Sequence, residues 1–161
     1  MIYLLGGYLY NDNFGDIVLT NVWVDWYKKK KIDFIYLAHP AAKERCAKRL
    51  GLSKAAVLSL AEFCQIGKFP PNSTLHLYGG GYLNKFWHKT YLPVLSHAAK
   101  SNLAIIATGL QLDRVAAKKV KAAPIKFFSV RDSQTANLLH LKNIPLVDDA
   151  IGRLYLKTKR K

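Results

Sequence analysis

Acidic residues are scarce in this chain. Its 161 residues include ten Asp and Glu against 25 Lys and Arg, which gives a formal net charge of +15. Such a surface attracts anions, including phosphorylated metabolites, acidic glycans, nucleic acid and anionic membranes. The lysines are spread over many segments and form no single stripe, so solubility alone explains the charge equally well. The charge therefore narrows the class of partner without choosing one.

Cysteine and long apolar runs are also scarce. The two cysteines, Cys46 and Cys64, lie in apolar-periodic stretches, which predicts reduced core thiols. No Cys/His spacing is typical of zinc, and no metal site is expected. No run approaches the roughly 18 apolar residues that span a bilayer, and the apolar start at Ile2–Leu5 has no basic flank like that of a signal peptide. We therefore expect a cytoplasmic protein with no membrane span.

Half of the residues are hydrophobic, and they form short apolar runs that alternate with segments of helical spacing. The predicted strands are Ile2–Leu5, Ile32–Leu37, Ala55–Leu58, Thr74–Tyr78, Leu103–Ala107, Ile125–Val130 and Pro145–Val147. The predicted helical segments are Asp16–Lys30, Ala41–Leu50, Leu60–Ile66, Lys85–Lys100, Asp113–Ala122 and Ser133–Leu141. This alternation predicts an α/β fold, a Rossmann-like parallel sheet with helices on both faces. We assign residues 1–155 to one domain and residues 156–161 to a basic tail.

Two glycine-rich loops follow predicted strands. In the first, Gly7, Asn13 and Gly15 tolerate unusual backbone geometry, and the helix that begins near Asp16 offers free N–H groups to an anion. A long turn capped by Asp16 explains this loop equally well, since it matches no standard nucleotide-binding motif. In the second loop, Gly79, Gly80 and Gly81 precede Tyr82. Either a helix packs tightly there or a ligand contacts bare backbone, and we favour the ligand.

Three further loops carry polar groups. Thr108 and Gly109 follow the most apolar strand, and Arg131 follows the next one. The Arg131 guanidinium suits two-pronged contact with a phosphate or carboxylate, although an ion pair with Asp132 or Asp16 is equally plausible. Asp148 and its neighbour Asp149 could orient a sugar hydroxyl or act as a base. Because parallel strands end at one edge of their sheet, we expect all five loops to converge.

These loops, in this order, resemble those of the polysaccharide pyruvyl transferase family. The matching pieces are Gly7 with Asn13-Phe14-Gly15-Asp16, Leu77-Tyr78-Gly79-Gly80-Gly81-Tyr82-Leu83, Ile106-Ala107-Thr108-Gly109, Ser129-Val130-Arg131-Asp132-Ser133-Gln134-Thr135 with Leu138, and Asp148-Asp149-Ala150. The resemblance runs from Tyr3 to Leu154. It corresponds to the amino-terminal half of the family, whose fold is similar to that of two-domain GT-B glycosyltransferases.

The resemblance implies transfer of pyruvate from phosphoenolpyruvate to a sugar hydroxyl, as a ketal, in cell-surface glycan biosynthesis. The implied partners are phosphoenolpyruvate and a glycan or sugar-phosphate acceptor, with no metal or organic cofactor and with a possible homo-oligomer. The expected catalytic residues are Asp16, Arg131 and Asp148. The expected substrate-binding residues are Gly7, Asn13, Gly15, Gly79, Gly80, Gly81, Tyr82, Thr108 and Gly109.

Two other functions remain open. The chain could be a non-catalytic glycan- or anion-binding module that retains the fold and the charge. Nucleic-acid binding driven by the net charge is the least favoured, because no nucleic-acid-binding motif occurs in the sequence.

Overall fold

A computed structural model describes residues 1–6, 14–79, 83 and 88–140, with only the backbone of His88. The strands are β1 (Ile2–Leu5), β2 (Phe34–Ala38), β3 (Val57–Ser59), β4 (Thr74–Tyr78), β5 (Ala104–Leu110) and β6 (Ile125–Val130). The helices are α1 (Phe14–Lys29), α2 (Lys43–Leu50), α3 (Leu60–Cys64), α4 (His88–Lys100), α5 (Arg114–Lys121) and α6 (Ser133–Leu139). The predicted strand Pro145–Val147 and the tail at 156–161 lie outside the described residues.

The six strands form one parallel sheet in the order β3-β2-β1-β4-β5-β6. The first strand lies in the middle of this order, with Ile2 paired to Phe34 of β2 on one side and to Thr74 of β4 on the other. This arrangement confirms the predicted α/β Rossmann-like fold. The direction of strand addition reverses between β1 and β4, which makes that boundary a topological switch point.

Helices cover both faces of the sheet. Alternate side chains of β1 point to opposite faces, so Leu4 packs in a cluster with α1 and α2, whereas Tyr3 and Leu5 pack in a second cluster with α3 to α6. Val24 of α1 and Val94 of α4 are among the fully buried residues of the two clusters. Two apolar cores therefore hold the sheet between them, as predicted.

Specific caps set the ends of several helices. Gly51 ends α2 in the left-handed conformation, with φ of 56°. Ser59 begins α3 through a reciprocal capping box with Glu62, as the sequence indicates. The predicted cap of α6 is wrong by one residue, because the Asp132 carboxylate accepts the Thr135 N–H and Ser133 is already helical.

The fifth strand is longer than predicted. The sequence indicates an end at Ala107, followed by a loop at Thr108 and Gly109, but β5 continues to Leu110. Gly109 has φ of 63° and interrupts the pairing with β6 between Ala107 and Leu110. Its N–H donates to Ser129 Oγ at 2.9 Å, so a side chain replaces the lost ladder bond and the strand resumes.

Candidate functional site

The carboxyl edge of the sheet contains the switch point. There β1 ends at Leu5 and β4 ends at Tyr78, and the strand order reverses between them. In open parallel sheets, ligands bind in the crevice beyond such strand ends. The predicted site residues Gly7, Asn13, Gly80, Gly81, Tyr82 and Asp148 lie outside the described residues.

Glycine at the ends of β1 and β4 has a packing explanation. A Cβ on Gly6 would overlap the ring of Tyr78. Gly79 has φ of 53°, and a Cβ there would lie 2.8 Å from Cδ1 of Leu19 on α1. The close approach of a helix, which was the less favoured explanation of the glycine run, therefore accounts for Gly79. Backbone contact with a ligand stays a prediction for Gly80 and Gly81.

Backbone hydrogen bonds join the ends of β4, β5 and β6. The Gly79 N–H donates to the Thr108 carbonyl at 2.8 Å, and the Arg131 N–H donates to the Leu110 carbonyl at 3.1 Å. Leu83 forms a parallel bridge with Leu112, just beyond the end of β5. The residues that flank Gly80 to Tyr82 therefore lie at the same edge as Arg131. The sequence prediction that these loops converge holds for this described part.

Arg131 is exposed at this edge, and its side chain is oriented by a neutral group. Nη2 donates to Oε1 of Gln111 at 2.7 Å. An amide positions the guanidinium without neutralising it, so the positive charge is available to an anion. The sequence interpretation did not identify Gln111 as a site residue. The one feature that could have indicated it is its position directly after the apolar strand β5.

The first turn of α1 is tied to the end of β4. Gly15 and Asp16 lie in this turn. Thr20 Oγ1 donates to the Asp16 carbonyl at 2.7 Å and lies 2.6 Å from the buried hydroxyl of Tyr78. Burial chiefly, and the Asp16 charge in smaller part, raises the pKa of Tyr78. The predicted residues Gly15 and Asp16 are therefore held beside the switch point.

A buried polar network fixes Thr108. His76 on β4 is 1% exposed, with Nδ1 2.7 Å from the Tyr27 hydroxyl and Nε2 2.8 Å from Thr108 Oγ1. Trp23 packs edge-on against the imidazole at 4.5 Å. Burial lowers the His76 pKa to about 3, so the ring is neutral. Thr108 was predicted to bind substrate, but its hydroxyl is already bonded to His76.

Asp132 has a spare carboxylate oxygen. Oδ1 accepts the Thr135 N–H at 2.7 Å, while Oδ2 is buried and has no hydrogen-bond partner in the described part of the chain. The sequence interpretation treated Asp132 only as a possible ion-pair partner of Arg131. Its observed contact is the helix cap, and the second oxygen remains able to accept a hydrogen bond.

The described residues contain neither a group of metal ligands nor a membrane-spanning helix. Across 1–6, 14–79, 83 and 88–140, no three His, Cys, Asp or Glu side chains cluster as metal ligands do. None of the helices in these ranges has the length and hydropathy of a bilayer-spanning segment.

Comparison with known protein families, with curated proteins and with solved structures finds no match. Function is therefore inferred from the strand order, the motifs and the groups at the carboxyl edge.

Proposed function

We propose that the carboxyl edge binds phosphoenolpyruvate and that the chain is a polysaccharide pyruvyl transferase-like protein. It transfers pyruvate to a sugar hydroxyl in cell-surface glycan biosynthesis. The observation that supports this most is the exposed Arg131 guanidinium at the same edge as the switch point between β1 and β4. The motif resemblance supplies the identity of the donor.

The donor suits the groups at this edge. Phosphoenolpyruvate carries a phosphate and a carboxylate, both of which accept two parallel hydrogen bonds from a guanidinium. The amino end of the 16-residue α1 favours negative charge, and the net charge of +15 favours the approach of an anion. Arg131 is therefore the proposed anion anchor.

The proposed reaction requires proton transfer to and from the substrates. Two sugar hydroxyls form C–O bonds to C2 of the donor and lose their protons. One of these protons is added to C3 of the donor, which becomes a methyl group. The C2–O bond to phosphate breaks, and the second proton leaves with the phosphate as hydrogen phosphate. Asp16 and Asp148 are the proposed acid–base groups.

A non-catalytic anion- or glycan-binding module is the alternative. One observation favours it, because two of the predicted substrate contacts already have contacts inside the protein. Gly79 packs closely against Leu19, and the Thr108 hydroxyl is hydrogen-bonded to His76. If Arg131 is the main ligand-binding group at the carboxyl edge, the protein binds an anion but does not position a sugar acceptor for reaction.

Calorimetry with phosphoenolpyruvate tests the site. We expect Arg131→Ala to weaken binding at least about tenfold, because a charge-assisted contact is lost. Arg49→Ala is the matched control, since it removes the same charge from an exposed position in the last turn of α2. We expect Arg49→Ala to bind as the unmodified protein does. Absence of binding by the unmodified protein, or equal weakening by both variants, would overturn the proposal.

Phosphate release separates the two functions. When donor and a panel of sugar acceptors are mixed with the protein, a transferase releases phosphate and forms a pyruvylated product. A binding module gives the same calorimetric signal without either product. Arg131→Ala should abolish release in the first case.

A further inference from the structure

Four helices of this fold end at the same edge of the sheet. Helices α1, α2, α4 and α5 each follow a strand of the parallel sheet and run back in the opposite direction. They therefore begin near the carboxyl edge and end near the opposite, amino edge, where the strands begin. Basic residues that are far apart in the sequence come together at this amino edge.

On one face of the sheet, the ends of α1 and α2 carry a dense group of cations. Residues 28–31 are all lysine, and each of them is exposed. Lys48 and Arg49 are exposed in the last turn of α2. The Lys28 ammonium donates to the Leu50 carbonyl at 3.0 Å, which places the two helix ends side by side. The two groups of cations therefore form one surface.

On the other face, α4 and α5 end in the same way. Lys100 is the last residue of α4, and Lys118, Lys119 and Lys121 lie in the last turn of α5. All four lysines are exposed. The six strands between the two faces are about 4.8 Å apart, so the whole edge is about 24 Å long. Exposed cations therefore lie on both sides of one short edge.

Carboxylates are distributed in the opposite way. Asp16 and Glu44 lie in the first turns of α1 and α2, and Asp113 caps the start of α5. The described carboxylates near the amino edge are Asp33, directly before β2, and Asp25 in the penultimate turn of α1. The fold thus separates positive from negative charge, although the lysines are spread along the sequence.

Helix dipoles explain only part of this separation. A basic residue in the last turn of a helix balances the partial negative charge of the last carbonyl groups. That charge is about half an elementary charge per helix, or about two charges for the four helices. The exposed basic side chains at these helix ends exceed this amount several-fold. The surplus makes the amino edge attractive to a large anionic surface.

Two large apolar side chains are exposed among these lysines. Trp26 and Ile32 are 37% and 38% exposed at the end of α1. Lys31 adopts φ of 54°, and the Ile32 N–H donates to the Tyr27 carbonyl at 3.1 Å, so a Schellman motif fixes the backbone of this turn. Tryptophan and aliphatic side chains next to lysines are typical of surfaces that lie in the headgroup region of a membrane.

We propose that the amino edge docks on the surface of a bilayer that contains anionic phospholipids. The lysine ammonium groups lie among the anionic headgroups, and Trp26 and Ile32 enter the headgroup region. Lysine binds such a fluid surface as a point charge, without the fixed paired geometry for which arginine is suited. The carboxyl edge then faces away from the membrane. This docking surface does not depend on the function proposed above.

Sedimentation of the full chain with lipid vesicles tests the proposal. We expect binding to vesicles of equal parts phosphatidylserine and phosphatidylcholine at about 0.1 M salt. Vesicles of phosphatidylcholine alone should bind at least about tenfold more weakly. Lys29→Gln combined with Lys30→Gln should weaken binding to the anionic vesicles at least about tenfold, because each lysine at such a surface contributes about fivefold.

Lys89→Gln combined with Arg114→Gln is the matched control. Both residues are exposed at the beginnings of α4 and α5, so this variant has the same net charge, but its changes lie at the carboxyl edge. We expect its affinity for the anionic vesicles to stay within about twofold of that of the unmodified protein. The reason is that the carboxyl edge lies farther from the membrane than one Debye length of about 10 Å.

Tryptophan fluorescence reports the apolar contact. We expect the emission to shift to shorter wavelength on anionic vesicles as Trp26 leaves water. Trp26→Phe should lose this shift, whereas Trp23→Phe should retain it, because Trp23 packs edge-on against the buried His76. Ile32→Gln should weaken vesicle binding about threefold through loss of an apolar contact, with the net charge unchanged.

The outcomes decide the proposal. Binding that requires phosphatidylserine, is weakened by the Lys29 and Lys30 pair and is retained by the control pair supports it. No association with anionic vesicles, or equal weakening by the two double variants, would overturn it. Binding of duplex DNA in place of vesicles would also overturn it and would assign the surface to nucleic acid. None of these measurements uses phosphoenolpyruvate, so failure of the transferase assignment would leave them unaffected.

Discussion

His76 is a single side chain that makes the stability of this protein depend on pH. The imidazole has a pKa of about 3 in the folded chain, against an ordinary value of 6.5, because it is buried among Trp23, Tyr27 and Thr108. The unfolded chain therefore binds the proton more readily than the folded chain between pH 6.5 and 3. The contribution of the neutral ring to stability is complete above pH 6.5 and decreases as the pH falls toward 3.

We expect this histidine to cost about 2 kcal/mol of unfolding free energy when the pH is lowered from 7 to 5. Urea denaturation at both pH values measures the change. His76→Gln should lower the stability at pH 7 and reduce the difference between the two pH values. His140→Asn is the control, because it removes an exposed histidine. Asparagine readily adopts the left-handed backbone conformation of this position, where φ is 54°. Equal pH dependence in His76→Gln and the unmodified protein would contradict this account.

Glycine is required at two strand ends for different steric reasons. Gly6→Ala would push a methyl group into the Tyr78 ring, and Gly79→Ala would combine left-handed strain with contact against Leu19. We expect losses of about 2 kcal/mol or more for each variant, measured by denaturation. Gly67→Ala is the control, since nothing lies within 4 Å of its added Cβ, and its effect should stay within about 0.5 kcal/mol. Comparable losses in all three variants would refute the steric explanation.

At the level of single residues, the sequence singles out Arg131 as a candidate but gives no sign of the side chain that orients it, Gln111. Arg131 is recognisable because a guanidinium follows an apolar strand, whereas Gln111 gains its role only when β5 and β6 become neighbours. The same limit applies to His76, whose partners Tyr27 and Thr108 come from distant segments. Side-chain pairs between segments cannot be read from local patterns.

The third helix depends on its cap more than longer helices do. It has five residues, and Ser59 and Glu62 bond reciprocally at its start. We expect Ser59→Ala to lower the unfolding free energy by about 1 kcal/mol, because the Glu62 N–H loses its partner. Ser53→Ala is the matched control, since Ser53 precedes a 3-10 turn and makes no side-chain cap bond. Denaturant titration of both variants measures the difference, and equal losses would show that the cap bond is not the cause.

At the level of elements, buried strands were the easiest features to predict. β1, β4 and β6 have the predicted bounds because each is a short apolar run between polar or glycine-containing segments. The end of β5 was wrong because glycine usually indicates a break, whereas Gly109 here forms a bulge supported by Ser129. The strand order was not predictable from local sequence, because it is decided by which helix packs on which face.

The molecule as a whole protects Cys46. The residue lies on the buried side of α2 and is 2% exposed, and burial raises the pKa of its thiol to about 11. In a Cys64→Ala variant, we expect an aromatic disulfide reagent to modify Cys46 only through global unfolding, so its rate should rise with urea in parallel with the unfolding equilibrium. In Cys46→Ala, the less buried Cys64 should react faster and depend less on urea. A urea-independent rate for Cys46 would contradict this expectation.

The net charge of +15 predicts that the proposed binding of phosphoenolpyruvate depends on salt. We expect the affinity for phosphoenolpyruvate to fall several-fold between 0.05 and 0.5 M salt, because the Debye length shortens from about 14 Å to about 4 Å. Calorimetry in potassium chloride measures this change, with Arg131→Ala showing a smaller salt slope. A salt-independent affinity would rule out electrostatic attraction as a driving force.

The central place of β1 has a consequence for synthesis on the ribosome. Ile2–Leu5 leaves the exit tunnel before either of its neighbours, and the nearer neighbour along the chain, Phe34–Ala38, follows soon after it. The other neighbour, Thr74–Tyr78, is translated much later. Until then a nascent chain can pair β1 on one side only and presents the other side as an open apolar edge, which is the kind of surface that chaperones cover.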